Sequence, residues 1–254
     1  VPDDQLQLRR RSFGSAAREY DAHRPSYPDT AIDWALAPLG SPGGRVLDLA
    51  AGTGKLTASL VRRPGAEVVA VEPDEQMLAV LRERLPEVRA LAGSAESIPL
   101  PDASVDAVLV GQAFHWFDPA RAGDELARVL RPGGVLAGLW NYEDDSEAWV
   151  AGLVQVTSLD RRVPGVSQGG RRPRAMLEHE SFDEGGRQEF THSRRLTAES
   201  LVATLGTHSW ALISSPEERE EVFARVRGYL AGRPELGEEF DMPLRTVTVR
   251  MLRR

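Results

Sequence analysis

The chain has 254 residues, a hydrophobic fraction of 41% and a formal net charge of −7. That length holds one large α/β domain, or one domain plus a cap, with enough apolar residues for a core. The acidic balance argues against non-specific nucleic-acid binding, the absence of cysteine excludes disulfides and thiolate metal sites, and no run of 18 apolar residues could span a membrane.

Residues 1–28 are polar and mixed. They lack the apolar segment of a signal peptide and, with no cysteine in the chain, suit a cytoplasmic protein. SAAREYDAHRPSYP carries a short helix-like piece, and Pro25 and Pro28 then force extended chain. Asp29 is placed to cap a helix through Ile32, Trp34 and Leu36, stopped by Gly40 and Pro42. A regular alternation follows. Arg45 to Ala50 reads as a strand, Gly54 to about Arg63 as a helix, and Glu67 to Pro73 as a second strand. Asp74 caps a helix that buries Met77, Leu78, Leu81 and Leu85. Val88 to Ala92 and Val105 to Ala113 read as strands three and four. Asp118-Pro119 starts a helix with Leu126, Val129 and Leu130 on one face, Gly133-Gly134 ends it, and GVLAGLW forms strand five. Strands alternating with helices in this way predict a parallel, doubly wound sheet.

Beyond Asn141 the pattern changes. SEAWVAGLVQVTSLD reads as one amphipathic helix, and residues 160–180 as a loop or lid. QEFTHSRRLT alternates as a strand, and Thr197 is placed to cap a helix through Leu201 and Leu205. Ser215 and Glu218 form a capping box before a helix that buries Val222, Phe223, Val226 and Leu230. RTVTVRML reads as a last strand.

The chemistry centres on RVLDLAAGTGKLT, Arg45 to Thr57, a buried strand that breaks into glycines and opens a helix. Such a turn lets a ligand approach backbone. A P-loop requires G-x-x-x-x-G-K-[ST], but Leu49 holds the first glycine position and Leu56 the hydroxyl position. The dinucleotide fingerprint G-x-G-x-x-G fits Gly52 and Gly54 but meets Thr57 at its third position. A third pattern has an acid inside the strand: Asp48, Ala50, Gly52 and Gly54. It resembles motif I of class I S-adenosylmethionine-dependent methyltransferases, acid-x-G-x-G-x-G, with Ala50 at the first glycine. Glu72 ends strand two, 24 residues after Asp48, where an acid can accept both ribose hydroxyls. GSAESIPLPDASVDAVLVGQAFHWF resembles the family's adenine-lining stretch, with Ser94 where an aspartate often reads the base. ELARVLRPGG, Glu125 to Gly134, resembles the stretch before strand five. FGSAAREYDAHRPSYP and QAFHWFD are similar to the small-molecule group, with a type 11 methyltransferase domain, that includes trans-aconitate methyltransferase.

The resemblance implies a Rossmann-like doubly wound seven-stranded sheet, mostly parallel with an antiparallel C-terminal strand, plus a helical cap. It divides the chain into a lid and first helix (1–43), a cofactor-binding core (44–141), a cap or substrate insertion (142–215) and a C-terminal helix and strand completing the core (216–254). It implies S-adenosyl-L-methionine as cofactor and S-adenosyl-L-homocysteine as product. Gly52 and Gly54 would let the backbone approach the cofactor, Asp48 would order the loop amides or the amino group, Glu72 would fix the ribose, and Ala50, Pro73 and Met77 would be further cofactor-binding positions. Ser94, Ala95 and Glu96 would line the base, and Gln112 and Ala113 would face the methyl donor. Tyr20 and Arg24 would sit at the methionyl end, Arg24 pairing the carboxylate. His115 is either a general base toward a hydroxyl or a pocket wall. Phe114 and Trp116 are pocket walls or core; Trp149 and Trp210 are pocket or packing. Arginines 161, 162, 171, 172 and 174 either attract an acidic substrate or solvate a loop, and the histidines show no metal-ligand spacing. The expected partner is a small-molecule substrate, methylated on oxygen, with no nucleic acid or membrane. Two alternatives stand beside this: a nicotinamide oxidoreductase, and a cofactor-binding protein that does not transfer methyl groups.

Overall fold

The computed structural model describes residues 14–40, 44–158 and 179–254. The fold is a Rossmann-like, mostly parallel seven-stranded sheet with an antiparallel C-terminal strand and flanking helices. Its strands are β1 (Gly44–Leu49), β2 (Ala66–Glu72), β3 (Arg89–Ala92), β4 (Val105–Gly111), β5 (Leu130–Glu143), β6 (Phe182–Thr197) and β7 (Glu239–Arg253), in the order β3-β2-β1-β4-β5-β7-β6. The chain divides into two compact units. A sheet unit holds Ser26–Asn141, Pro173–Phe190 and Thr246–Arg254; a helical unit holds Val1–Pro25, Tyr142–Arg172 and Thr191–Arg245.

In the sheet unit, β1 pairs in parallel with both β2 and β4. The strand order therefore reverses beside β1, and in open α/β sheets ligands bind at the carboxyl ends of strands at such a reversal. The central strands are apolar on both faces, because helices cover both: Leu47, Leu49, Val105, Ala107, Val108, Leu109 and Val110 are all buried. One cover is built from α2 (Asp29–Leu36) and α3 (Lys55–Leu60), whose Ile32, Leu56 and Leu60 join Val46, Leu109 and Leu139 in one cluster. α4 (Glu75–Arg84) brings Leu81 against Ala51, Ala70 and Val88. α5 (Pro119–Val129) buries Ala122, Leu126 and Val129.

Local signals set most helix starts. Asp74 accepts from the Gln76 and Met77 amides, and Asp118 from those of Ala120 and Arg121. Asp29 behaves differently from the sequence expectation. Pro28 occupies the N-cap, and the Asp29 carboxylate pairs instead with Arg62 and Arg63. The helix before β5 also ends earlier than its glycines suggest, at Val129. β5 begins at Leu130 with an irregular register, Leu130 opposite Val105 and then Val135 opposite Ala107. Residues 131–134 stand opposite Asp106 alone, three more than the ladder needs, and bulge out with Gly133 at φ +78.

In the helical unit, α1 (Ala17–His23), α6 (Ala148–Ser158), α7 (Ala198–Gly206), α8 (Ser209–Ile213) and α9 (Pro216–Ala231) surround a core of Val150, Leu153, Leu205, Trp210, Val226 and Phe240. Thr204 Oγ1 and Arg194 Nη1 both donate to His23 O, closing the C-terminal end of α1. Thr197 and Ser215 each make a reciprocal capping box, with Ser200 and Glu218. α8 has only five residues, too few to show a period, so sequence periodicity passes over it. The 160–180 loop lies outside the described residues except for its last two positions. Because Ser215 Oγ accepts the Glu218 amide at 3.2 Å, Ser215→Ala should cost about 1 kcal/mol and lower the melting temperature by about 2–4 °C, read by calorimetry.

Candidate active site

β1 delivers Asp48 to full burial, and the chain then turns sharply. Ala50, Gly52 and Gly54 all lie in the left-handed region, at φ 56, 58 and 85. Ala50 takes this conformation without being glycine, a local strain of the kind found at ligand-gripping turns. The two glycines serve different ends. A Cβ on Gly54 would lie 3.0 Å from Leu81 Cγ, so Gly54 answers to the packing of α4 as well as to its own φ. A Cβ on Gly52 would meet nothing within 4 Å, so its backbone borders open space that a ligand can enter.

Asp48 Oδ2 accepts a 2.6 Å hydrogen bond from Thr57 Oγ1. Its Oδ1 is buried with no hydrogen-bond partner among the described residues. Burial pushes the carboxyl pKa up to about 7; the Thr57 hydroxyl opposes this and the nearby Glu72 charge reinforces it. Thr57 was missed as a site residue. It departs from the dinucleotide fingerprint because its hydroxyl, in the first turn of α3, ties that helix to the strand acid. A hydroxyl nine residues after a strand acid is the signal that could have found it.

Glu72 ends β2 with 6% exposure. Its Oε2 accepts from the Gly52 amide and its Oε1 from the Asp74 amide, both at 2.8 Å. It thus fixes the glycine turn and the next loop before any ligand arrives. Pro73 beside it is exposed, whereas Met77 is buried in α4.

The third wall comes from the β3–β4 loop and the tip of β4. Ala95 is buried, and Ser94 and Glu96 are half-buried. Glu96 Oε1 accepts from the Asp118 amide at 3.0 Å. Gln112 sits at φ 60, the second strained non-glycine residue at this end of the sheet; its Nε2 donates to Asn141 O at 3.0 Å. Ala113 follows, and a short 3-10 turn carries Phe114, His115 and Trp116. Phe114 is buried against Phe117 and Trp140, so it packs as core. His115 is an exposed residue, and its ring centroid lies 4.5 Å from that of Trp116. Protein mass around it still excludes enough water to lower its pKa below the usual imidazole value.

Four expected site residues belong to the helical unit. The Arg24 guanidinium lies over the Tyr20 ring at 5.2 Å, and its Nη2 donates to Thr207 O at 3.1 Å. Its Nε is buried without a hydrogen-bond partner among the described residues. Next to Thr207, the His208 pKa is held well below its ordinary value by burial and by the Arg24 charge. Trp149 packs edge-on to Phe240, and Trp210 edge-on to Phe223. Among the described residues no group of three or more acidic or histidine side chains could hold a metal, and no helix is long and apolar enough to cross a membrane.

A phosphate-binding turn would need its loop amides free for the anion, but here a carboxylate already holds the Gly52 amide. An anion would be repelled, whereas a nucleoside with a cationic centre would not. The open face of Gly52 and the unpaired Asp48 Oδ1 fit S-adenosylmethionine in the same way. This sheet unit is therefore that of a class I S-adenosylmethionine-dependent methyltransferase. Comparison with known proteins agrees. The Methyltransferase domain family matches residues 47–138. An uncharacterized methyltransferase of Mycobacterium tuberculosis strain H37Rv is 46% identical over 238 residues, covering 94% of this chain and 93% of the relative. A malonyl-[acyl-carrier protein] O-methyltransferase of Methylococcus capsulatus is 41% identical over 133 residues, 50% of this chain and 48% of the relative. A structure assigned as a type II methyltransferase from Anaeromyxobacter dehalogenans superposes with a TM-score of 0.65 at 28% identity, covering 91% of this chain and 97% of that one. The chain belongs to the S-adenosylmethionine-dependent methyltransferase family and is an enzyme of that class, with S-adenosylhomocysteine as product. This displaces the nicotinamide and non-transferring alternatives.

The raised Asp48 pKa has a consequence for stability. Its unfolded value is about 3.9, so between about pH 4 and 7 the folded state holds the proton that the unfolded state has released. The stabilisation from the protonated acid is complete below about pH 4 and is lost as pH rises toward 7. Thermal melts of wild type and Asp48→Asn should diverge over that window, the wild type losing stability relative to the variant as pH rises. Parallel curves would return Asp48 to an ordinary carboxylate.

Proposed function

We propose that the enzyme methylates an oxygen of a small molecule, and that its cofactor and acceptor meet at the β1, β2 and β4 ends. When bound, S-adenosylmethionine supplies an activated methyl group, open to in-line displacement by a nucleophile; the protein supplies orientation and a dry site. In this reading the Gly52 backbone approaches the cofactor and Glu72 accepts its ribose hydroxyls. Asp48 and Ala50 shape the turn at the methionyl side. Pro73 and Met77 border the ribose, and Ser94, Ala95 and Glu96 the base. Gln112 and Ala113 face the methyl donor, with Trp116 beside the acceptor.

The observation that carries the choice of oxygen is His115. It lies three residues beyond the strained Gln112, and desolvation lowers its imidazole pKa from the ordinary value. A neutral imidazole can take the proton from a hydroxyl as it is methylated. The partial match to an O-methyltransferase supports the same acceptor atom. The resemblance of the N-terminal and QAFHWFD stretches to the group that includes trans-aconitate methyltransferase supports a small organic acid or phenol.

Labelled methyl transfer to a panel of phenols and small carboxylic acids tests this. Phenols should yield base-stable ethers. His115→Ala should then lower turnover by about 10²-fold or more, and the acid limb of the wild-type profile should lie below pH ~6.5. Unchanged turnover, or base-labile esters made equally well by the variant, would remove His115 from the role of base. Independently, Glu72→Ala should weaken S-adenosylhomocysteine binding about tenfold or more by calorimetry, since it loses charge-assisted hydrogen bonds to ligand and turn together.

A further inference from the structure

The loop from Gly93 to Ser104 is held against one helix by a set of contacts that cofactor binding by itself does not explain. Ser94 and Ser97 make a small antiparallel bridge at its start. Glu96 reaches the Asp118 amide at the beginning of α5. Two turns further along α5, Glu125 Oε2 accepts from the Ile98 amide at 2.7 Å. Arg128 Nη2 donates to Ile98 O at 2.9 Å, and its Nη1 to Leu100 O and to Asp102 Oδ1, each at 2.8 Å. Glu125 also takes Arg128 Nε at 2.7 Å and Nη2 at 2.8 Å, a two-pronged fork that fixes the guanidinium plane. The main-chain carbonyl of Arg128 accepts from Ala103, which sits at the strained φ of 46. Both backbone groups of Ile98 are thus satisfied by one ion pair.

The chemistry of the loop shows what such rigidity is for. Ser94 stands where an aspartate side chain often reads the base in similar enzymes, so main-chain groups near Ala95 must do more of that reading. A side chain can swing to meet a ligand; a peptide group is only as well placed as its loop. The geometry points to Glu125 and Arg128 as positioning residues for cofactor recognition, whose fork anchors the loop at Ile98, next to the Ser94–Ser97 bridge, so that its backbone distinguishes a 6-amino purine from a 6-oxo purine. This rests on the reading of the loop as the adenine wall and goes beyond it by naming what sets its selectivity. An Arg→Lys change keeps the charge but loses the planar fork, so it separates geometry from electrostatics.

Calorimetric titration of the full chain with S-adenosylhomocysteine and with S-inosylhomocysteine tests the proposal. Wild type should prefer the adenosyl compound by about tenfold or more. Arg128→Ala should bind it about tenfold more weakly, with the preference reduced to about twofold. Arg128→Lys should fall between the two and is read alone if the alanine variant does not fold. A variant that weakens both compounds equally, leaving the wild-type preference, overturns the proposal, because a merely structural residue would act that way. So does a variant with both affinities unchanged. Wild type binding the two compounds equally would instead overturn the adenine reading of the loop itself, before any variant is compared.

Discussion

A carboxylate buried beneath a left-handed turn is the constraint on which the cofactor end of the sheet depends. Asp48 is fully buried, its Oδ2 accepting from Thr57 Oγ1 and its Oδ1 having no partner among the described residues. Burying a charged acid with so little compensation is unfavourable, and the protein meets that cost by raising the pKa rather than by adding a counter-cation. The bond to Thr57 fixes the first turn of α3 to β1. The register of β1 on β2, Leu49 opposite Val71, places Glu72 one residue further along, where it reaches the Gly52 amide. Glu72 therefore holds the turn and Asp48 the helix that follows it, and the repulsion between the two acids is part of what raises the Asp48 pKa. The turn is shaped before a ligand enters, so binding need not organise it.

The same economy operates at the tip of β4. Gln112 leaves the strand in a conformation that a non-glycine residue adopts at a cost, and is held there by its amide on Leu139 O and its side chain on Asn141 O. Asn141 is itself fixed, its Nδ2 donating to Ser26 O and its Oδ1 accepting from Thr246 at 2.5 Å. Ser26, Asn141 and Thr246 are residues at which the chain passes between its two units. The tip that carries His115 thus rests on the part of the sheet unit where three crossing segments are tied together. Strain at a functional tip persists only where its surroundings over-determine it, and this network does so.

How much of this was legible in the sequence depended on the range of the interaction. Asp74, Asp118 and Ser215 announce their helices because a cap bonds amides two or three residues away, a distance that sequence spacing measures directly. The glycine turn and Glu72 were legible because strand, turn and strand follow one another at a fixed spacing. Asp29 looked like a cap and is not one; Arg62 and Arg63, some thirty residues on, compete for its carboxylate. Gly54 looked like a ligand-facing glycine, yet Leu81 of another helix also requires it. Thr57 counted only as a departure from a fingerprint, since nothing local shows that its hydroxyl meets Asp48. The Glu125–Arg128 fork was part of a recognised stretch, but its target, the Ile98 backbone, appears only when α5 packs beside the loop.

The sequence by itself determined the class of the fold, the order of its central elements and the kind of cofactor, because hydrophobic period, capping residues and turn glycines act over a few residues and need no partner elsewhere. Only the tertiary structure decided how the acids are used: which amides Glu72 grips, why the Asp48 pKa is raised, and which helix disciplines the base-lining loop. Those outcomes depend on burial and on contacts between segments far apart in the chain. Desolvation and long-range hydrogen bonds have no signature until packing brings the groups together.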